Sequence, residues 1–155
     1  MKLTFTANHG ASGICADGFV LKDTQGIQIP WNSLDVTISD TGHWSNPLPF
    51  DSSSDPGEKI RNDVDGSYCS ETDSFTDSQG NEVVTFDFVT PVEFTSFELQ
   101  SYDDMDYNAR YWTLEGMNQN GQWVVLLHEE DFDFESAIAV ASFHINNEEA
   151  VPGNN

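Results

Sequence analysis

Two short stretches carry the side chains best suited to recognition chemistry, His43-Trp-Ser-Asn46 and Tyr107-Asn-Ala-Arg110. An aromatic ring can stack on the C–H face of a sugar. An imidazole, amide or guanidinium can then read its hydroxyls. Both stretches lie in polar, turn-rich sequence and are expected to project from the fold rather than into it. Trp44 is either part of such a platform or a loop anchor. The four histidines, His9, His43, His128 and His144, have no nucleophile at a recognisable spacing. The chain also lacks a G-x-S-x-G, a P-loop or an H-E-x-x-H. Carboxylate pairs such as Glu129-Glu130 are common because the chain is acidic, so they do not mark a hydrolase. The expectation is a binding protein and not an enzyme.

The charge narrows the partners. Twenty-seven acidic residues face five basic ones across 155 residues, a net of -22. Nothing in such a chain would neutralise nucleic-acid phosphates, and anionic membrane surfaces are disfavoured for the same reason. No apolar run approaches the roughly 18 residues of a membrane helix, so membrane insertion is not expected. Self-repulsion on this scale calls for screening by salt or by bound cations. The carboxylates are therefore either a solvated face or, in part, oxygen ligands for Ca²⁺. Cys15 and Cys69 lie in no C-x-x-C pair, which argues against zinc. They are either buried thiols or one long-range disulfide.

The elements that must hold the loops read as strands. Asn108 to Leu127 is a hairpin. Tyr111, Thr113 and Glu115 alternate with Trp112, Leu114 and Gly116; Asn118-Gln-Asn-Gly121 turns; Trp123-Val-Val-Leu-Leu127 returns. Trp112 and Trp123 are both expected in the core, while Trp31 is open. Further strands are expected at Leu3–Ala7, Phe19–Leu21, Gly26–Trp31, Asp35–Ser39, Glu82–Val89, Val92–Leu99 and Ala137–Ile145, with a small element at Phe132–Phe134. Residues 41–58 and 70–81 read as long polar loops, and no amphipathic helix is evident. Many short strands with turns between them predict an all-β sandwich or barrel in one domain, residues 1–146, with a tail or linker at 147–155. With few cations among many carboxylates, Arg110 is expected to pair with Asp103, Asp104 or Asp106.

The hairpin, written Trp112-Thr-Leu-Glu-Gly-Met-Asn-Gln-Asn-Gly-Gln-Trp-Val-Val-Leu126, resembles the most recognisable segment of discoidin-like (coagulation factor 5/8 type C) domains. Asn62-Asp-Val-Asp-Gly66 and Val84-Thr-Phe-Asp-Phe-Val-Thr-Pro91 resemble two further segments of that family, so the likeness runs from about residue 60 to 145. The opening strands, Leu3 to Gly10 and Phe19 to Gly26, are similar to the family's closing strands. The resemblance thus implies a jelly-roll β-sandwich (galactose-binding-domain-like) with shifted boundaries, cut from a longer extracellular or cell- or virion-surface protein.

The same resemblance implies a non-catalytic, carbohydrate-binding (lectin-like) module stabilised by Ca²⁺. Its partner would be a glycan or glycoprotein. A protein–protein interaction or adhesion module on the same scaffold is the alternative. The cation would be held by the Asp65 carboxylate, the carbonyls of Asn62 and Ser67, and Ser70. Gly18 falls where the family has a glutamate, which leaves Asp17 as the substitute. The competing reading of Asp65-Gly66 is a plain turn held by side-chain to backbone bonds. Cys15 and Cys69 would flank this site as near neighbours. Of the sugar-holding residues, Asn108 falls on the family's asparagine and His43 on its histidine. Ser101 or Tyr102 stands at the arginine position, a departure that bears on galactose specificity.

Overall fold

The structure is a computed structural model that describes residues 1–11, 13–40, 56–69 and 82–145, with backbone only at 56 and 57. The loop residues His43, Trp44 and Ser70, and the tail at 147–155, lie outside the described residues.

Among the described residues, nine strands form two antiparallel sheets. They are β1 (Lys2–Asn8), β2 (Cys15–Lys22), β3 (Val36–Asp40), β4 (Tyr68–Cys69), β5 (Glu82–Phe88), β6 (Ser96–Gln100), β7 (Ala109–Met117), β8 (Trp123–Glu129) and β9 (Val140–His144). One sheet runs β3-β5-β1-β7-β8, and the other β4-β2-β6-β9. The helical elements among the described residues are short 3-10 turns, at Trp31–Ser33, Pro56–Ile60 and Met105–Tyr107.

Period-two patterning sets which side chains turn inward. Leu3 and Phe5 of β1, Val84 and Phe86 of β5, and Trp112 and Leu114 of β7 are buried from one sheet. Phe19 and Leu21 of β2, and Phe97 and Leu99 of β6, meet them from the other. Phe19 lies 5.2 Å from Phe86, and Phe97 lies 5.9 Å from Trp112 in an edge-on contact, so the layers pack face to face. Trp31, left open by the sequence, is buried and donates its indole N–H to the Phe19 carbonyl at 3.0 Å.

The expected hairpin forms, with Met117 opposite Trp123 and Thr113 opposite His128. Its turn is organised by Asn118, whose Oδ1 accepts from the N–H of Asn120 and of Gln122. Gly121 takes φ 75° there. Several expectations need correction, among them the last strand, which starts at Val140 and not Ala137. Gly26–Trp31 makes only a bridge at Gln28 before a 3-10 turn, because Pro30 cannot donate to a ladder. The strand expected from Val92 starts at Ser96, and Phe132–Phe134 is irregular. Trp123 is not core: it sits on the outer strand of its sheet, 39% exposed, with the Lys2 ammonium 4.3 Å from its ring centre.

Candidate functional site at one end of the sandwich

Strand directions gather most of the expected site residues at a single end. The C-terminal end of β1 and the N-terminal ends of β2, β7 and β9 converge there. Residues 8–11, 13–17, 61–69, 101–109 and 130–139 therefore become neighbours. The opposite end carries Met1, Ile145 and the hairpin turn, which together line one cleft.

The loop between β6 and β7 is built around Asn108. Its side chain is 1% exposed; its Oδ1 accepts from the Tyr102 N–H at 2.7 Å. Its Nδ2 donates to the Tyr102 carbonyl at 3.4 Å and contacts the Met105 sulfur at 3.3 Å. Asn108 therefore shapes the loop from beneath, with its amide committed to the backbone. The 3-10 turn above it is capped by Asp104, which accepts from the Asp106 N–H, and is tied to the β1–β2 loop by Ala11 N–H to the Asp106 carbonyl. Two partly buried tyrosines stand on this scaffold, Tyr102 and Tyr107, with ring centres 6.3 Å apart and planes at 75°. Burial, and then the carboxylates of Asp103 and Asp104, push the Tyr102 phenol above its usual range, so it is neutral and able to donate at physiological pH.

Arg110 does not pair with Asp103, Asp104 or Asp106. Its Nε donates to Asp131 Oδ1 at 2.5 Å, and its guanidinium lies 5.5 Å from the centre of the Tyr111 ring. That hydrogen bond, first, and the Asp131 charge hold the guanidinium above its usual range. Asp131 adopts φ 57°, and the next residue, Phe132, donates its N–H to the Arg110 carbonyl at 2.8 Å. His9 meets the Phe132 carbonyl at 3.0 Å and lies 3.8 Å from Asp133. A polar group of Arg110, Asp131, His9 and Asp133 thus surrounds residue 132, on the same loop end as the tyrosines. Nothing local in the sequence joins His9 to Asp133, because the turn that brings them together is set by pairing between distant strands.

The residues expected to hold a cation come together in part. Ser67 donates its hydroxyl to Asp17 Oδ2 at 2.9 Å, and the Asp17 Oδ1 accepts from the Gly18 N–H at 2.7 Å. Gly18 takes φ 54° within a bulge of β2, where a side chain would sit 2.9 Å from Gln100; that bulge turns Asp17 towards Ser67. Asn62 and Asp65 are exposed on the preceding turn. The same turn holds two cations. Arg61 is paired with Asp63 at 2.6 Å, and the Lys59 ammonium would lie 3.7 Å from a side chain at Gly66. Among the described residues no group of three His, Cys, Asp or Glu is placed to hold a metal. Asp17 and Ser67 fit a hard cation chemically, as two oxygen donors side by side.

Cys15 and Cys69 are joined as a disulfide, directly opposite one another on β2 and β4 with Cα atoms 4.1 Å apart. This resolves the alternative left by their spacing, and it anchors the Asn62–Ser67 turn to the sandwich.

The fold and the loop cluster define a two-layer antiparallel β-sandwich that carries its polar and aromatic side chains on connecting segments at one end. A scan against protein-family models, a search of curated proteins and a search of solved structures each find no match to this chain. No helix among the described residues is long and apolar enough to cross a membrane.

Proposed function

We propose that this chain is a non-catalytic carbohydrate-binding module on a jelly-roll sandwich of the discoidin-like kind, working at a cell, virion or extracellular surface. One observation carries the reading. Two partly buried tyrosines stand at 75° to each other on a loop whose shape is fixed by a buried amide, at the same end of the sandwich as a paired Arg110 and Asp131. Rings held at an angle offer both a stacking face and an edge to a sugar. The phenolic groups, and the charged side chains at the same end, supply directional donors and acceptors. Preorganising the loop through Asn108 lowers the cost of ordering it when ligand arrives. Neutral sugars suit the surplus of carboxylates better than sulfated or sialylated ones.

Ca²⁺ belongs to the same proposal, held by Asp17, Asn62, Asp65, Ser67 and Ser70. What supports it is the juxtaposition of Asp17 and Ser67. The ion would screen the acidic end and fix the turn beside the loops. The disulfide suits an oxidising compartment, in keeping with a surface location.

A glycan array probed with and without chelator tests the reading. Binding to neutral glycans that falls when Tyr102 or Tyr107 is replaced by alanine is the expected result. An array silent in both conditions would remove it. A rise in melting temperature on adding Ca²⁺ is expected if the ion binds the folded state, and no rise would remove the ion alone.

A further inference from the structure

The tyrosine loop receives none of the chain's own cations. Of the five basic residues, Lys2, Lys22, Arg61 and Arg110 are each ion-paired with a carboxylate outside this loop. Lys59 stands beside Gly66, on the turn before β4. The N-terminal ammonium donates to the Phe86 carbonyl, at the other end of the sandwich. Yet the loop carries three exposed carboxylates within four residues, Asp103, Asp104 and Asp106. Among the described residues none of them is in an ion pair, and Asp104 accepts only from the Asp106 N–H. Their charge reaches the rings. After burial, Asp103 and Asp104 do most to push the Tyr102 phenol up, followed by Tyr107 and Asp17. The ring faces are free of cations as well. The cation–π contacts among the described residues fall on Trp31, Tyr111 and Trp123.

Given that Tyr102 and Tyr107 form the sugar site proposed above, we infer that its ligand is an amino sugar bearing a free ammonium group, held between the two rings and the Asp103 carboxylate. The rings select for a pyranose face and, through their quadrupoles, attract a cation set against them. An ammonium beside Asp103 adds a charge-assisted hydrogen bond that a hydroxyl or an acetamido group at the same carbon does not make. A metal ion is the poorer occupant here. It needs several oxygens converging on one point, and among the described residues no three carboxylate or imidazole side chains are so placed. An organic cation asks for one carboxylate and an aromatic face, and both are present on this loop.

Calorimetric titration with three β-linked gluco-oligosaccharides of equal length tests this. They differ only at C2, which carries a hydroxyl, an acetamido group or a free amine, and the pH is mildly acidic so that the amine is protonated. The amine form is expected to bind about tenfold more tightly than the other two, from an exposed cation–π contact and a screened ion pair together. Asp103→Asn should reduce that preference about threefold and leave the two uncharged sugars as they were. Asp87→Asn makes the same charge change on β5 at the other end of the sandwich, and should leave the preference intact by screening. Equal affinity for all three sugars would overturn the amino-sugar inference and leave the glycan reading standing. Equal loss of preference from the two variants would mean bulk attraction to the acidic chain and would overturn it too. No binding of any of the three would remove the glycan reading for this sugar series and the inference with it.

Discussion

Removing the Cys15–Cys69 disulfide is the sharpest perturbation that the fold offers. The bridge closes a loop with a sequence separation of 54. In the chain-entropy account a loop of that length removes about 14 cal/mol/K from the unfolded chain, or about 4 kcal/mol at 25 °C. For a domain of this size, each kcal/mol moves the melting temperature by about 2–4 °C, so a loss of about 8–16 °C is expected. The effect should also be local. β4 pairs β2 through only two residue pairs, Cys15 with Cys69 and Ala16 with Tyr68. Without the bridge, the stretch from Arg61 to Cys69 should open below the global unfolding free energy. The assay is calorimetry on Cys15→Ala/Cys69→Ala against the oxidised protein, with hydrogen exchange on both. Amides of 61–69 should exchange through local opening and lose more protection than those of β1, β5 and β7, whose loss is limited to the global loss of about 4 kcal/mol. A melting shift under about 3 °C, or exchange that rises evenly across the sandwich, would refute the view that the bridge is what secures this turn.

Three further perturbations separate parts of the structure. Asn108→Ala leaves the Tyr102 N–H without its acceptor, at a cost of about 1–3 kcal/mol. Denaturant unfolding measures that loss, and the same variant should lose any glycan signal seen with the parent protein. Trp112→Ala should cost about 3–5 kcal/mol in chemical unfolding, because its ring is enclosed between Phe97, Phe132 and Phe143. Trp123→Ala should cost only about 1–2 kcal/mol, from partial burial and its contact with Lys2. Ile138 is a β-branched residue at φ 59°, exposed to 62%. Ile138→Gly relieves about 1–2 kcal/mol of backbone strain, offset by about 0.5–1 kcal/mol of glycine chain entropy. Its melting temperature should therefore hold or rise slightly, while Val140→Gly, in ordinary strand geometry on β9, should lower it.

The two sheets were legible in the sequence where alternation was clean. β1, β5 and β7 each show inward apolar residues at every second position, and the Asn118–Gly121 turn carries its own chemistry in the Asn118 side chain and the positive φ of Gly121. Trp123 misled because hydrophobicity reports what a residue tolerates and not which neighbour it receives. An edge strand keeps the pattern of a core strand while one flank stays open. β4 was too short to show a period and depends on a covalent partner. In the candidate site, Tyr107 and Arg110 were visible as polar and aromatic residues in a loop. The inward turn of Asn108 was not, since the same amide can face ligand or backbone. The pairing of Arg110 with Asp131, and the approach of His9 to Asp133, depend on strand order, which spacing along the chain does not encode. Asp17 and Ser67 were linked through the family resemblance, and the bulge at Gly18 supplies the physical means of their contact.

The account rests on recognition by the loop end. Its most direct test is a ¹⁵N NMR titration of the whole chain with a mixture of neutral oligosaccharides. Saturable shifts centred on Tyr102, Tyr107, Arg110 and Asp131, with the core amides of Leu3, Val84 and Phe97 unmoved, are the predicted result. Shifts confined to the hairpin end around Met117 and Trp123, or none at any concentration, would contradict it.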